Sequence, residues 1–102
     1  MKTYTTLYIG ETRALSIYVR DQNDDDFIAV SASTYIKNSN DEIVVSETPA
    51  IVSAASVISL LDTVVTSAAG DYEVVWTLNK SGYIYKHVSF VKVVELWETL
   101  ML

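Results

Sequence analysis

Cysteine is absent from the 102 residues. That absence excludes disulfides, thiolate metal sites and a cysteine nucleophile. A single histidine leaves too few nitrogen ligands for a zinc site. Positive charge is also scarce: seven Lys and Arg face thirteen Asp and Glu, for a formal charge of −6. Such a balance argues against nucleic acid as a partner, because phosphates need a Lys/Arg face, and against anionic membranes for the same reason. Its ordinary consequence is solubility. No stretch reaches the roughly 18 apolar residues of a membrane span. The opening "MKTYTTLYIGETRAL" has no continuous apolar run of the signal-peptide kind. The expectation is a chain made and kept in a cytoplasm, unless it leaves inside a larger assembly.

Proline occurs once and glycine three times, whereas tyrosine occurs seven times and half of all residues are apolar. This is too hydrophobic for disorder, and the aromatic and β-branched content favours strands. The length fits a single domain with one thin core. We place that domain at residues 1–95 and treat 96–102 as an apolar tail.

The strands follow from period-two alternation. Thr3 to Ile9 is β-branched or aromatic and stops at Gly10. Leu15, Ile17 and Val19 then alternate with Ser16, Tyr18 and Arg20. "DQNDDD" (Asp21 to Asp26) reads as a turn. The next apolar row is Ile28, Val30, Ala32, Thr34 and Ile36, followed by a hairpin loop at Asn38 to Asp41 and a strand "EIVVS" that Pro49 ends. Residues 56–68 carry two signals: Val57, Leu60, Leu61, Val64, Val65 and Ala68 have helical spacing, while the Val, Ile, Thr and Ser content favours a strand. We prefer a strand over about Val57 to Val65, and its few charges mark it as an edge in want of a neighbour. Tyr72, Val74, Trp76 and Leu78 then share one face of a strand. "NKSG" turns the chain at Gly82. The return strand sets Ile84, Val88 and Phe90 on one side and Tyr85, His87 and Ser89 on the other. About seven strands result, and regular turns in an all-β pattern predict a sandwich.

"AAGDYEV" is the most specific local feature. A Tyr near the start of the sixth strand, two residues before the core position usually held by Cys, is the corner motif of immunoglobulin-type sandwiches. Gly70, Tyr72 and Val74 match its spacing, with Val74 in place of Cys, while Ala68 stands where many such domains carry Asp. The corner, the "VVWTL" strand and the "GYIYKHVSFVKV" return strand together resemble small immunoglobulin-like structural proteins of tailed bacteriophages. The likeness is to baseplate upper protein N-terminal domains and to neck or tail accessory proteins. That resemblance implies an antiparallel immunoglobulin-like β-sandwich and a non-enzymatic structural role in a virion, as a homo-oligomer in contact with other virion proteins. It also implies that Gly70, Tyr72 and Val74 fix a corner of the fold.

Candidate chemistry is sparse. His87 has Tyr85 and Ser89 as face neighbours but no carboxylate beside it, so a Ser–His–acid arrangement lacks its orienting group. Asp21, Asp24, Asp25 and Asp26 offer the carboxylate oxygens that calcium takes. The EF-hand pattern fails, because no Gly sits mid-loop and Ala32 falls where Glu is required. A calcium loop and a solvated turn both remain open. No cofactor motif is present: Gly10 and Gly82 are isolated and cradle no phosphate. "NKS" at Asn79 to Ser81 fits the glycosylation pattern, but without a secretory signal it carries little weight.

The tail "ELWETLML" is the least comfortable segment in water. Leu96, Trp97, Leu100 and Met101 either fold back over an open end of the domain or dock on another subunit. We expect the second. A different class of function, a free-standing module binding a carbohydrate or protein through its loops, would instead use Tyr18, Tyr35, Tyr83 and Tyr85 as an exposed platform.

Overall fold

The computed structural model describes residues 3–20, 23, 25, 27–53, 56–61 and 67–95, with the side chains of residues 60 and 61 excepted. It is all-β. Seven strands follow in chain order: β1 (Tyr4–Tyr8), β2 (Arg13–Tyr18), β3 (Ser31–Asn38), β4 (Ile43–Ser53), β5 (Ser56–Leu61), β6 (Gly70–Lys80) and β7 (Tyr83–Val94). They form one mixed sheet in the order β1-β7-β6-β3-β4-β5-β2, curled into a half-barrel. All neighbours are antiparallel except β1 and β7, which run parallel.

The curl is made in β4. Its residues from Ile43 to Ala50 pair with β3, whereas Ile51 to Ser53 pair with β5. The β3–β4 register shifts on both sides of Ile36, and such irregularities bend a strand and raise its twist. Pro49 therefore does not end the strand as the sequence suggested; β4 runs through it to Ser53. It stands opposite Ser33 and before the first pairing with β5, so β4 has one partner strand there. Proline is tolerated at such a position because only one side needs ladder bonds.

Residues 56–61 are strand, not helix. Val57 and Ser59 are buried together while Ile58 is only partly so, a period of two. The strand is no sheet edge either, because β2 lies along it from Ser56 to Leu61 and β4 covers the other side of Ser56 to Ile58. The continuation to Val65 lies outside the described residues.

The concave face holds the core. Leu7, Ile36, Val57, Tyr72, Val74, Trp76, Leu78, Val91 and Val93 are buried there, with Leu15, Ile17 and Val52 packed against them. Two polar contacts pin it, the first part-buried and the second buried. The Trp76 indole Nε1 donates to Ser89 Oγ at 2.8 Å, and Thr34 Oγ1 meets Ser59 Oγ at 3.0 Å across the curl. Buried hydroxyls paired in this way avoid the cost of an orphaned polar atom. Ile28 and Val30, expected in the apolar row, precede β3 and are exposed.

The turns obey their local chemistry. Asn38 Oδ1 accepts from the amides of Asn40 and Glu42 at 2.9 and 3.0 Å, a side-chain mimic of a backbone turn. The β6–β7 hairpin closes with Lys80 opposite Tyr83. Its two loop residues, Ser81 and Gly82, have φ of 55° and 81°. Positive φ at both positions is the type I′ geometry, whose twist matches that of the flanking strands.

Candidate functional site

The residues of the expected corner can be placed directly. Gly70 opens β6 at φ 147°, a backbone conformation only glycine adopts readily. Two residues on, the Tyr72 ring is buried and its hydroxyl donates to the Ala68 carbonyl at 2.8 Å. Val74 follows on the same face and is fully buried. The assembly residues proposed from the sequence, Leu96, Trp97, Leu100 and Met101, lie outside the described residues, as do Asp21, Asp24 and Asp26. Asp25 is exposed. Among the described residues no group of three or more His, Asp or Glu could hold a metal ion.

His87 is exposed on β7, opposite Trp76 in the register. The tyrosines expected to form one platform do not share a face. Tyr85 lies on the core side, opposite Leu78, with its ring edge-on to Phe27 at 5.0 Å. Tyr35 aligns with Val75 and Val88 on the other side, where the Lys86 ammonium sits 5.2 Å from its ring. Near the hairpin, Lys80 lies 4.6 Å from the Phe27 ring.

The feature that sequence reasoning missed is the unequal cover on β7. β1 pairs with β7 only from Phe90 to Val94. From Tyr83 to Ser89 no described residue pairs with its outer edge. The two-residue turn fixes which groups are left open. Lys80 and Tyr83 form the closing hydrogen-bonded pair of such a hairpin, so Tyr83, Tyr85, His87 and Ser89 bond to β6. The N–H and C=O of Ile84, Lys86 and Val88 therefore point outward. Tyr83, Ile84, Tyr85 and Val88 are all exposed apolar side chains on this run. Beside it lies an open groove of about 600 Å³, lined by Val19, Arg20, Phe27, Leu78, Tyr85 and His87 among others. The sequence held part of the signal: the return strand read from Tyr83 to about Val94 is longer than the first, read from Thr3 to Ile9, although only the structure shows that the two pair.

A second cleft of about 250 Å³ lies at the opposite end of β6 and includes Tyr4, Asn38, Asp41, Asp71, Glu73 and Phe90. Its cation is held nearby: Lys37 Nζ sits 2.6 Å from Asp41 and 3.8 Å from Glu73. The hydrogen bond to Asp41 holds the Lys37 pKa above its ordinary value, against the opposing effect of desolvation. The cleft thus gathers three carboxylates, of which Lys37 reaches two. No family model matches this chain, and no curated protein matches it.

Proposed function

We propose that the chain is a non-enzymatic structural subunit that assembles into a symmetric oligomer, and that its setting is a bacteriophage neck, tail or baseplate. The virion setting, with synthesis in the host cytoplasm, rests on the resemblance stated above. The assembly rests on one observation, the largely apolar β7 edge from Tyr83 to Ser89, with which no described residue pairs on its outer side. Sheet edges of this kind are templates for pairing with another chain.

The half-barrel is read as a variant of the immunoglobulin-like sandwich. Four of its adjacencies support this. The run β3-β6-β7 corresponds to strands C, F and G, and β4-β5-β2 to D, E and B. The Tyr72 hydroxyl bond to Ala68, at the start of the sixth strand, has the corner geometry. Two departures distinguish it: β1 lies beside β7 and not β2, and β4 serves both sides of the curl.

Light scattering over a concentration series on the purified full chain tests the assembly. The expected result is a defined oligomer that dilutes reversibly. A monomer at every concentration overturns the reading and favours the free-standing binding module, with the Phe27–Tyr85 groove as its site.

A further inference from the structure

Sheets leave edges, and this one manages most of its own. On β1 the Thr6 carbonyl accepts from Arg13 of β2 at 3.4 Å. The open stretch of β4 carries Pro49 and Glu47. Proline and charge are the usual devices that discourage strand addition. The β7 edge carries Lys86 as its one Lys, Arg, Asp or Glu, with Ile84 and Val88 on either side of it on the same face, and it borders the Phe27–Tyr85 groove.

We propose that this edge is completed by residues 96–102 of a second copy of the chain, added as an extra strand. This rests on the assembly reading and specifies its interface. The pattern of the segment fits. As a strand, Leu96-Trp97-Glu98-Thr99-Leu100-Met101-Leu102 would set Trp97, Thr99 and Met101 on one side and Leu96, Glu98, Leu100 and Leu102 on the other. With Glu98 set opposite Lys86, the carboxylate and ammonium pair on the convex face. The other row then faces the side of Tyr85 and His87, where Trp97 and Met101 meet the groove. This holds whether the added strand runs parallel or antiparallel, because paired residues always share a face.

Reach decides that the donor is a neighbour. The chain leaves β7 at Val94, whereas the open edge begins at Ser89, and β1 occupies the ladder between them. At about 3.3 Å per residue, the return to Ser89 alone takes roughly 17 Å. Residues 96–102 extend to roughly 23 Å, which is the length of the edge itself. They cannot both travel back and pair along it. A tail entering the next subunit, whose own tail enters another, is a head-to-tail contact that closes as a ring or continues as a filament.

The cysteine-free sequence gives a clean test with full chains. Thr99→Cys protein is mixed under oxidising conditions with His87→Cys protein, the partner in a parallel arrangement, and separately with Tyr85→Cys protein, the partner in an antiparallel one. A disulfide-linked heterodimer is expected in one mixture, since bridged Cα atoms must lie within about 7 Å. Thr99→Cys mixed with Ser16→Cys, on β2, should give none. In parallel, Val88→Pro removes an outward N–H and should reduce the scattering mass to that of one chain, whereas Val44→Pro on β4 should not. An oligomer that survives Val88→Pro and forms neither heterodimer overturns the tail contact while leaving assembly intact. A His87→Cys homodimer overturns it in favour of two β7 edges pairing directly. A wild-type chain that never associates overturns both.

Discussion

The two halves of β7 share one strand and one partner in β6, yet they live in different environments. From Phe90 to Val94 the strand is flanked on both sides, and Val91 and Val93 are sealed in the core beneath Leu7 and beside Tyr72. From Tyr83 to Val88 it has one neighbouring strand among the described residues, and every residue is exposed. Composition does not separate them, since both halves are rich in aromatic and β-branched residues. Five residues of β1 do. Stability should therefore be concentrated in the flanked half, leaving the other half available for contact.

The largest effect is expected from removing the cover. Leu7 is fully buried and aligned with Val93, so Leu7→Ala should cost about 2–5 kcal/mol, the range for a deleted core leucine. Denaturant unfolding of the variant measures this. A loss well under that range would show that β1 adds little and that the two halves differ less than their burial suggests. Next comes Ser89, where the halves meet. Replacing it with Ala orphans the indole N–H of Trp76, a residue sealed from water. The expected loss is about 1–3 kcal/mol, the cost of an unpaired buried polar group. Tyr72→Phe, opposite Val91, keeps the ring and deletes only the bond to Ala68. A loss of about 0.5–1.5 kcal/mol is expected in the same assay. No change would deny the corner any part in holding the fold.

How much of this was legible in the sequence depends on whether alternation was one-sided. In β6 the row Tyr72, Val74, Trp76, Leu78 is the core row, as read, because Glu73 and Thr77 mark the other side, although Val75 between them is buried as well. In β2 the same holds for Leu15 and Ile17 against Ser16 and Tyr18. The first half of β7 is apolar on both faces, so its pattern says nothing about direction. The core takes the side of Ser89, Val91 and Val93, leaving the more apolar Ile84, Val88 and Phe90 on the convex face. Tertiary cover settled that choice, and a period cannot encode cover. The Thr34–Ser59 contact was equally invisible, since it joins strands that are not neighbours in the sheet. Pro49 misled because a proline inside a strand looks like a stop unless one knows that its strand has an open side there.

The smallest effect should come from the exposed half, measured against the same substitution in the flanked one. Val88 and Val91 are both valines on β7, one 38% exposed and the other fully buried. Threonine keeps the β-branched shape and strand preference at either site, so the change tests only whether a hydroxyl is tolerated. At Val91 the hydroxyl enters the core beside Leu7 and Tyr72, and burial of an unpaired polar group costs about 1–3 kcal/mol. At Val88 it faces water in an isolated chain, and the change should stay within about 0.5 kcal/mol. Dilute protein, below the concentration at which any oligomer forms, is the condition for this measurement. Raising the concentration should open a gap between wild type and Val88→Thr only if that face becomes covered by another chain. A Val88→Thr loss as large as that of Val91→Thr in dilute solution would mean that the isolated chain already covers its own edge.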